Sequence, residues 1–321
     1  MSRPQFRGPR EIDDFAGIEF GVGLQGDRDI SEYAALGRLA EELGFDVVTA
    51  FGDAGYLPPL AVLMHVAAAT SQVRVGPSCL NPYTTHPVEI ASQMAALDAV
   101  SKGRSYLGLA RGAWLDRLGV AQPRPLRALR EAAVVVDKLL SGDDGGYSGE
   151  MFSLEPGFRL RHSRPKRKLP LLIGAWGPRT VALAGEIADE LKVGGSANPD
   201  LVPVIRERLG KGSATRIVMG AVTVVDDDGR AAREKARAAV AMYYEVVGKL
   251  DPTLDVQPSG VPLSDELLDR FAFAGTPKSV ARRVRELFDA GASRIEFGAP
   301  FGLDAAEGLK RLGREVLPEF R

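Results

Sequence analysis

Between residue 18 and the C-terminus the chain repeats one pattern eight times: a short apolar, β-rich run, then a longer segment with helical spacing. The runs are IEFGVGL (18–24), DVVTAF (46–51), VRVGPS (73–78), SYLGLA (105–110), LPLLIGA (169–175), DELKVGG (189–195), TRIVMGAVTVV (215–225) and SRIEFGA (293–299). After the first run, Ile30, Tyr33, Ala34, Leu36, Leu39, Ala40 and Leu43 fall near a 3.6-residue period, with Asp29 or Ser31 as the cap. The next helical segments include PPLAVLMHVAAATS, which opens on proline, where a missing N–H does no harm. Most of the strand runs do not alternate apolar with polar, as expected for parallel strands buried on both faces. Eight strands, each trailed by a helix, predict a (β/α)8 TIM barrel, a size that 321 residues suit. A doubly wound open sheet is the structural rival. It accounts less well for eight strands, and no G-x-G-x-x-G follows the first one.

Two stretches exceed a minimal barrel. Residues 141–168 lie after the fourth helix, and their short GEMFSL and FRL runs suggest an inserted hairpin. Residues 251–276, containing SDELLDRFAF, follow the seventh helix, read at about 229–250. Both are candidate lids, substrate walls or surface contacts. Residues 1–17 read as a loose leader, polar and broken by Pro and Gly, without an apolar signal core, and 18–321 as one barrel domain. A net charge of -1 gives no basic field for nucleic acid, and no apolar run reaches transmembrane length, so neither nucleic acid nor membrane is an expected partner. A single cysteine excludes an internal disulfide framework and suits a reducing cytoplasm.

Few residue patterns announce chemistry. The three histidines and one cysteine form no metal-ligand spacing, so no metal is expected. Cys79 and His86 lie seven residues apart across a Pro-rich turn. Nucleophile and base is one reading of them; a packing thiol is the stronger one. His86 precedes Pro87 and sits at a helix start, where it could donate to a ligand or satisfy a loop carbonyl. GAWGPRT (174–180) ends a strand and opens a helix: glycine permits close approach, Pro178 presets the first turn, and free N–H groups with Arg179 suit an anion. LKVGGSANP supplies a second glycine-rich exit next door. Together they make a phosphate-bearing cofactor at the fifth and sixth strands plausible.

VGPSCLNPYTTHPVEIASQMAALDAVSKGRSYLGLARG resembles the third-to-fourth-strand segment of the luciferase-like flavin and deazaflavin oxidoreductases, and GPRTVALAGEIADELKVGG resembles their helix-five phosphate segment. The similarity is strongest to the branch that uses coenzyme F420, which includes methylene-tetrahydromethanopterin reductase. The resemblance implies a non-proline cis peptide at Ser78–Cys79 that backs one face of the cofactor ring, so Cys79 acts through its backbone. It implies that Asp53 lies by the ring, and that Asn81 or Thr84 contacts the ring or its side chain. Gly108, Ala110 and Gly112 fall on the fourth-strand exit, Gly174, Ala175, Gly177, Pro178, Arg179 and Thr180 on the phosphate end, and Gly194 with Gly195 on the neighbouring exit.

Two positions depart from the sugar-phosphate dehydrogenases of the family. Ala54 stands where they carry histidine, and Gly112-Ala113-Trp114-Leu115-Asp116 lacks their glutamate. Both departures argue against alcohol oxidation by a histidine base. The implied activity is a cytoplasmic reductase passing hydride from reduced coenzyme F420 to a polarised C=C, C=N or C=O bond of a small molecule. Asp53, His86 and Tyr83 are the candidate proton donors. Arg111 could hold an acidic substrate or the cofactor tail, and Trp114 could wall the pocket or pack structurally. The alternatives are an FMN-dependent monooxygenase of the luciferase type and a non-catalytic cofactor-binding barrel. Family members are often homodimers.

Overall fold

The computed structural model describes residues 17–254 and 263–321. The leader proposed for the N-terminus falls almost wholly outside them, as does the middle of the second insertion. The eight strand runs form β1 (Glu19–Leu24), β2 (Val47–Phe51), β3 (Arg74–Ser78), β4 (Leu107–Leu109), β7 (Leu171–Gly174), β8 (Glu190–Gly194), β9 (Arg216–Val225) and β11 (Arg294–Phe301). They pair in parallel in the order β3-β2-β1-β11-β9-β8-β7-β4. Parallel bridges Val75–Ser105 and Leu80–Leu109 join the two ends, so the sheet closes into a barrel. The outer ring includes α1 (Glu32–Glu42), α2 (Pro59–Ala69), α3 (Pro87–Ser101), α4 (Pro125–Ser141), α5 (Pro178–Ile187), α6 (Leu201–Leu209), α9 (Pro277–Asp289) and α10 (Ala305–Arg311). In α9, Val280, Ala281, Val284 and Leu287 are buried on one stripe, while Arg282 and Arg285 face out. Each of the buried valine and leucine side chains contributes about 1.5–3 kcal/mol. The side chain of Thr276 caps that helix by accepting from the Ser279 N–H at 3.4 Å.

Inside the barrel the chemistry is layered. At the N-terminal end, Arg74 pairs with Glu19 at 2.9 Å, Arg216 with Glu19 at 2.8 Å and Arg294 with Glu190 at 2.9 Å. Burial pushes the Glu190 carboxyl up, but Arg294, Arg74 and Arg216 outweigh it and hold it below the usual range. Tyr106 lies beneath two guanidiniums, Arg74 at 5.8 Å and Arg294 at 5.6 Å from the ring centroid. Gly76 makes room for it, since a methyl there would sit 2.5 Å from the Tyr106 ring. Val47, Leu172 and Val218 complete that apolar layer.

The insertions differ in detail from their sequence reading. After α4, the ladder is only β5 (Tyr147–Ser148) with β6 (Ser153–Leu154), and the FRL run stays out of it. The hairpin tip is anchored to the middle of α4: buried Glu131 accepts the N–H groups of Glu150 (3.0 Å), Met151 (2.8 Å) and Phe152 (3.1 Å). Phe152 meets the His86 ring edge-on at 5.5 Å. Since α3 and α4 both start at the mouth, this contact brings the tip up to the rim. The second added unit is larger than 251–276. α7 (Gly229–Val247), α8 (Asp265–Phe271) and β10 (Ala272–Gly275) share a satellite core of Val224, Ala236, Val240, Tyr244, Leu268 and Phe271. β10 pairs with the last four residues of β9, beyond the barrel proper. Apolar Phe273 and Ala274 were legible, but not that so short a run would find a strand to pair with.

Candidate functional site

The mouth is built by the exits of β2, β3, β4, β7 and β8. At the end of β3 the Ser78–Cys79 peptide is cis, at the position the resemblance indicates. Glycines pack the neighbouring exits against this turn. A Cβ on Gly52 or Gly108 would fall on the carbonyl oxygen of Cys79 or Pro77, far inside contact distance, and one on Gly174 would lie 2.9 Å from Cys79 Sγ. The residue Cys79 is half-buried, but its sulfur points inward against Gly174, and burial pushes the thiol up to about 11. At neutral pH it is a protonated packing group, with no base beside it.

Asp53 follows β2 and is half-buried at the mouth. Gln25 Nε2 donates to its Oδ2 at 3.3 Å. Burial raises its proton affinity; the Gln25 hydrogen bond and the Lys192 charge oppose this without cancelling it. Below it, Lys192 of β8 pairs with Glu296 of β11, and both side chains are buried. Lys192 Nζ also lies 4.9 Å from the Phe51 ring centroid.

The other candidate donors are engaged within the protein. Tyr83 donates its hydroxyl proton to the Pro123 carbonyl at 2.7 Å, bracing the loop after β4. His86 caps α3, its Nδ1 accepting the Val88 N–H at 3.2 Å. Asn81 Oδ1 accepts the N–H groups of Tyr83 (3.1 Å) and Thr84 (2.9 Å), and its side chain backs Gly112, whose φ is +88°. Thr84 itself is exposed, as is Arg111. Ala110 N–H donates to the Leu80 carbonyl at 2.9 Å, which sews the β4 exit to β3. Trp114 stands 37% exposed on that exit loop with φ +54°.

At the other side, Gly177 caps α5 in extended conformation and Pro178 occupies its first turn. A Cβ on Gly177 would meet nothing within 4 Å, so the approach to the helix start is open. Arg179 is exposed beside it and Thr180 half-buried. Trp176 Nε1 donates to the Gly194 carbonyl at 2.9 Å and the Ala175 N–H to Lys192 at 3.0 Å, tying this turn to the β8 exit. Gly195 then turns the chain with φ +77°. The helix-start amides and Arg179 suit a phosphate, and the glycine-lined exits suit a flat ring, so the residues present fit a phosphate-bearing flavin-type cofactor.

Three groups here escape a motif-based reading: Lys192, Glu296 and Trp176. The signal for the first two was available, as charges at alternate positions of parallel strands (Glu190 and Lys192, Arg294 and Glu296) mark the face that points into the lumen. Among the described residues no cluster of His, Cys, Asp and Glu could hold a metal ion, and no helix is long and apolar enough to cross a membrane.

A closed parallel barrel with an anion-ready helix start and a glycine-lined mouth defines a cofactor-binding α/β-barrel enzyme. The luciferase-like monooxygenase family model matches residues 12–294, and the chain belongs to that family. It is 27% identical to the 5,10-methylenetetrahydromethanopterin reductase of Archaeoglobus fulgidus, across 95% of this chain and all of that one. It is 30% identical to the F420-dependent glucose-6-phosphate dehydrogenase of Nakamurella multipartita, across 95% and 97% respectively. The solved coenzyme F420-dependent tetrahydromethanopterin reductase of Methanopyrus kandleri superposes with a TM-score of 0.83 at 24% identity, covering 95% of this chain and all of that one.

Proposed function

We propose that this chain is a coenzyme F420-dependent oxidoreductase working as a reductase of a small molecule that bears a polarised C=C, C=N or C=O bond. The observation that carries the reading is Asp53: an acid of raised proton affinity after β2, on the mouth where the glycine-lined exits of β3, β4 and β7 lead on to the anion-ready start of α5. End-to-end similarity to F420-dependent enzymes supports the cofactor. When bound in its reduced form, that cofactor supplies the hydride. The chain's own residues do the rest. The α5 start and Arg179 hold the phosphate, while the Ser78–Cys79 backbone, Gly108, Ala110 and Gly174 support one ring face. Asp53, whose proton affinity burial raises, donates a proton to the acceptor atom that gains the electron pair, so hydride and proton together complete the reduction. Tyr83, His86 and Asn81 shape the rim, Thr84 and Arg111 face the incoming ligand from it, and Trp114 walls the acceptor.

Loss of the dehydrogenase histidine (Ala54 here) favours reduction over alcohol oxidation. We also place the protein in the cytoplasm as a homodimer, on the family resemblance and the single cysteine; light scattering that finds one chain per particle would remove the dimer. The test of the activity is anaerobic: reduced coenzyme F420 is mixed with the chain and a panel of enones, imines and carbonyls, and reoxidation is followed by absorbance. Reoxidation with one acceptor class, slowed by Asp53→Asn, is expected. No reoxidation with any acceptor, and reoxidation only once oxygen is admitted, would overturn it.

A further inference from the structure

The floor beneath Asp53 holds charges that the proposed reaction does not use. Lys192 and Glu296 reach toward each other across the lumen, 5% and 1% exposed. Glycine makes their space. A methyl on Gly23 would lie 3.0 Å from Glu296 Oε1, one on Gly21 3.3 Å from Glu296 Cγ, and one on Gly220 3.1 Å from Lys192 Cε. Phe51, at the mouth end of β2, lies against the pair, and Asp53 stands two residues further on. Glu296 Oε1 takes Lys192, while its Oε2 has no hydrogen-bond partner among the described residues. Lys192 is the cation in direct contact with Glu296.

The Lys192 charge also acts on Asp53, so the cation that contacts Glu296 reaches a second carboxylate. Glu296 has the direct contact with Lys192. Asp53 has only the Gln25 amide and this more distant charge to oppose its burial, so its proton affinity stays raised.

We propose that Lys192 and Glu296 are positioning residues that set the charge of Asp53, Lys192 by its field and Glu296 by drawing part of that field away. The proposal rests on the reading of Asp53 as the proton-carrying acid. The groups that act on this corner are Gln25 from the loop after β1, Lys192 from β8, Glu296 behind it on β11 and the neutral Cys79 thiol from β3. The two residues then have opposite effects. Removing Glu296's charge frees Lys192 to favour the Asp53 anion. Removing both charges leaves burial alone to favour the neutral acid.

The test is a carboxyl carbon NMR titration of the full chain labelled at aspartate, with the Asp53 signal assigned by its loss in Asp53→Asn. Glu296→Gln should lower the midpoint of Asp53. Glu296→Gln combined with Lys192→Met should raise it above that of the unsubstituted chain. The double variant is chosen because it removes the ion pair whole and leaves no buried charge without a partner; circular dichroism confirms its fold. A purely structural pair would change melting temperature without moving the midpoint in opposite directions. An Asp53 midpoint unmoved in both variants, or moved the same way in both, overturns the proposal. Coenzyme F420 binding by the same samples keeps the two readings apart. A chain that does not bind it but shows the opposed shifts loses the cofactor reading and keeps this one. A chain that binds it with an unmoved midpoint loses only this one.

Discussion

Replacing Gly177 with alanine separates binding from folding. Gly177 has φ -68° and ψ 141°, a conformation any residue adopts, and the added methyl meets nothing within 4 Å. Alanine restricts the unfolded chain, which stabilises by about 0.4–1 kcal/mol at a compatible site. It is also a poorer helix cap than glycine, by about 0.5–1 kcal/mol. The two effects nearly cancel, so Gly177→Ala should melt within roughly 3 °C of the unsubstituted protein. The same methyl stands where a phosphate must approach the first amides of α5. Losing one hydrogen bond to a charged group costs about 1.5–3 kcal/mol, or roughly ten- to hundredfold in affinity. Thermal melting and a fluorescence titration with coenzyme F420 read the two quantities separately. Gly108→Ala serves as the contrast, because its methyl strikes the Pro77 carbonyl and should cost about 1–3 kcal/mol or more of stability. Unchanged affinity in a fully folded Gly177→Ala protein would refute the placement of the phosphate.

Asp53→Asn should lower turnover by roughly 10²–10⁴-fold, the usual size of a lost general acid. The same variant should melt higher at pH 7. A carboxyl whose folded pKa is raised loses stability as pH rises from the ordinary carboxylate range through the folded value, so the advantage should vanish below that range. With Cys79 pushed up to about 11 by burial, only about a thousandth of it is thiolate at pH 8; iodoacetamide should therefore leave the native chain unlabelled and label it rapidly in guanidinium, and fast native labelling would contradict the inward placement of the sulfur. Glu131→Ala removes the acceptor for three backbone N–H groups, so amides 150–152 should lose hydrogen-exchange protection, with a stability loss of about 2–4 kcal/mol in urea.

All eight barrel strands were legible because each is a compact apolar run with a helix behind it, and parallel strands buried on both faces leave that signature. The start of α5 was legible for a similar local reason: Gly177, Pro178 and Arg179 are adjacent, and their meaning needs no tertiary contact. The floor was not. Lys192 and Glu296 lie 104 positions apart and meet only because β8 and β11 both border β9 and face one lumen. Their pairing needed the barrel register, although the alternation of charge along each strand was there to be read. Tyr83 and His86 show the opposite limit. Both are chemically able side chains near the right strand exit; His86 is taken up by its neighbour Val88, and Tyr83 by Pro123, 40 positions away, which only the folded loop brings near. Likewise the satellite core draws on α7, which by period alone reads as an ordinary barrel helix.

The central claim is that the mouth of this barrel is shaped for a deazaflavin. The most direct measurement is a fluorescence titration of the purified full chain with coenzyme F420 and, separately, with FMN. Saturable binding of coenzyme F420, tighter than that of FMN and weakened by Gly177→Ala, is the predicted result. Preference for FMN would contradict the account and move the chain to oxygen chemistry, and binding of neither would contradict the site itself.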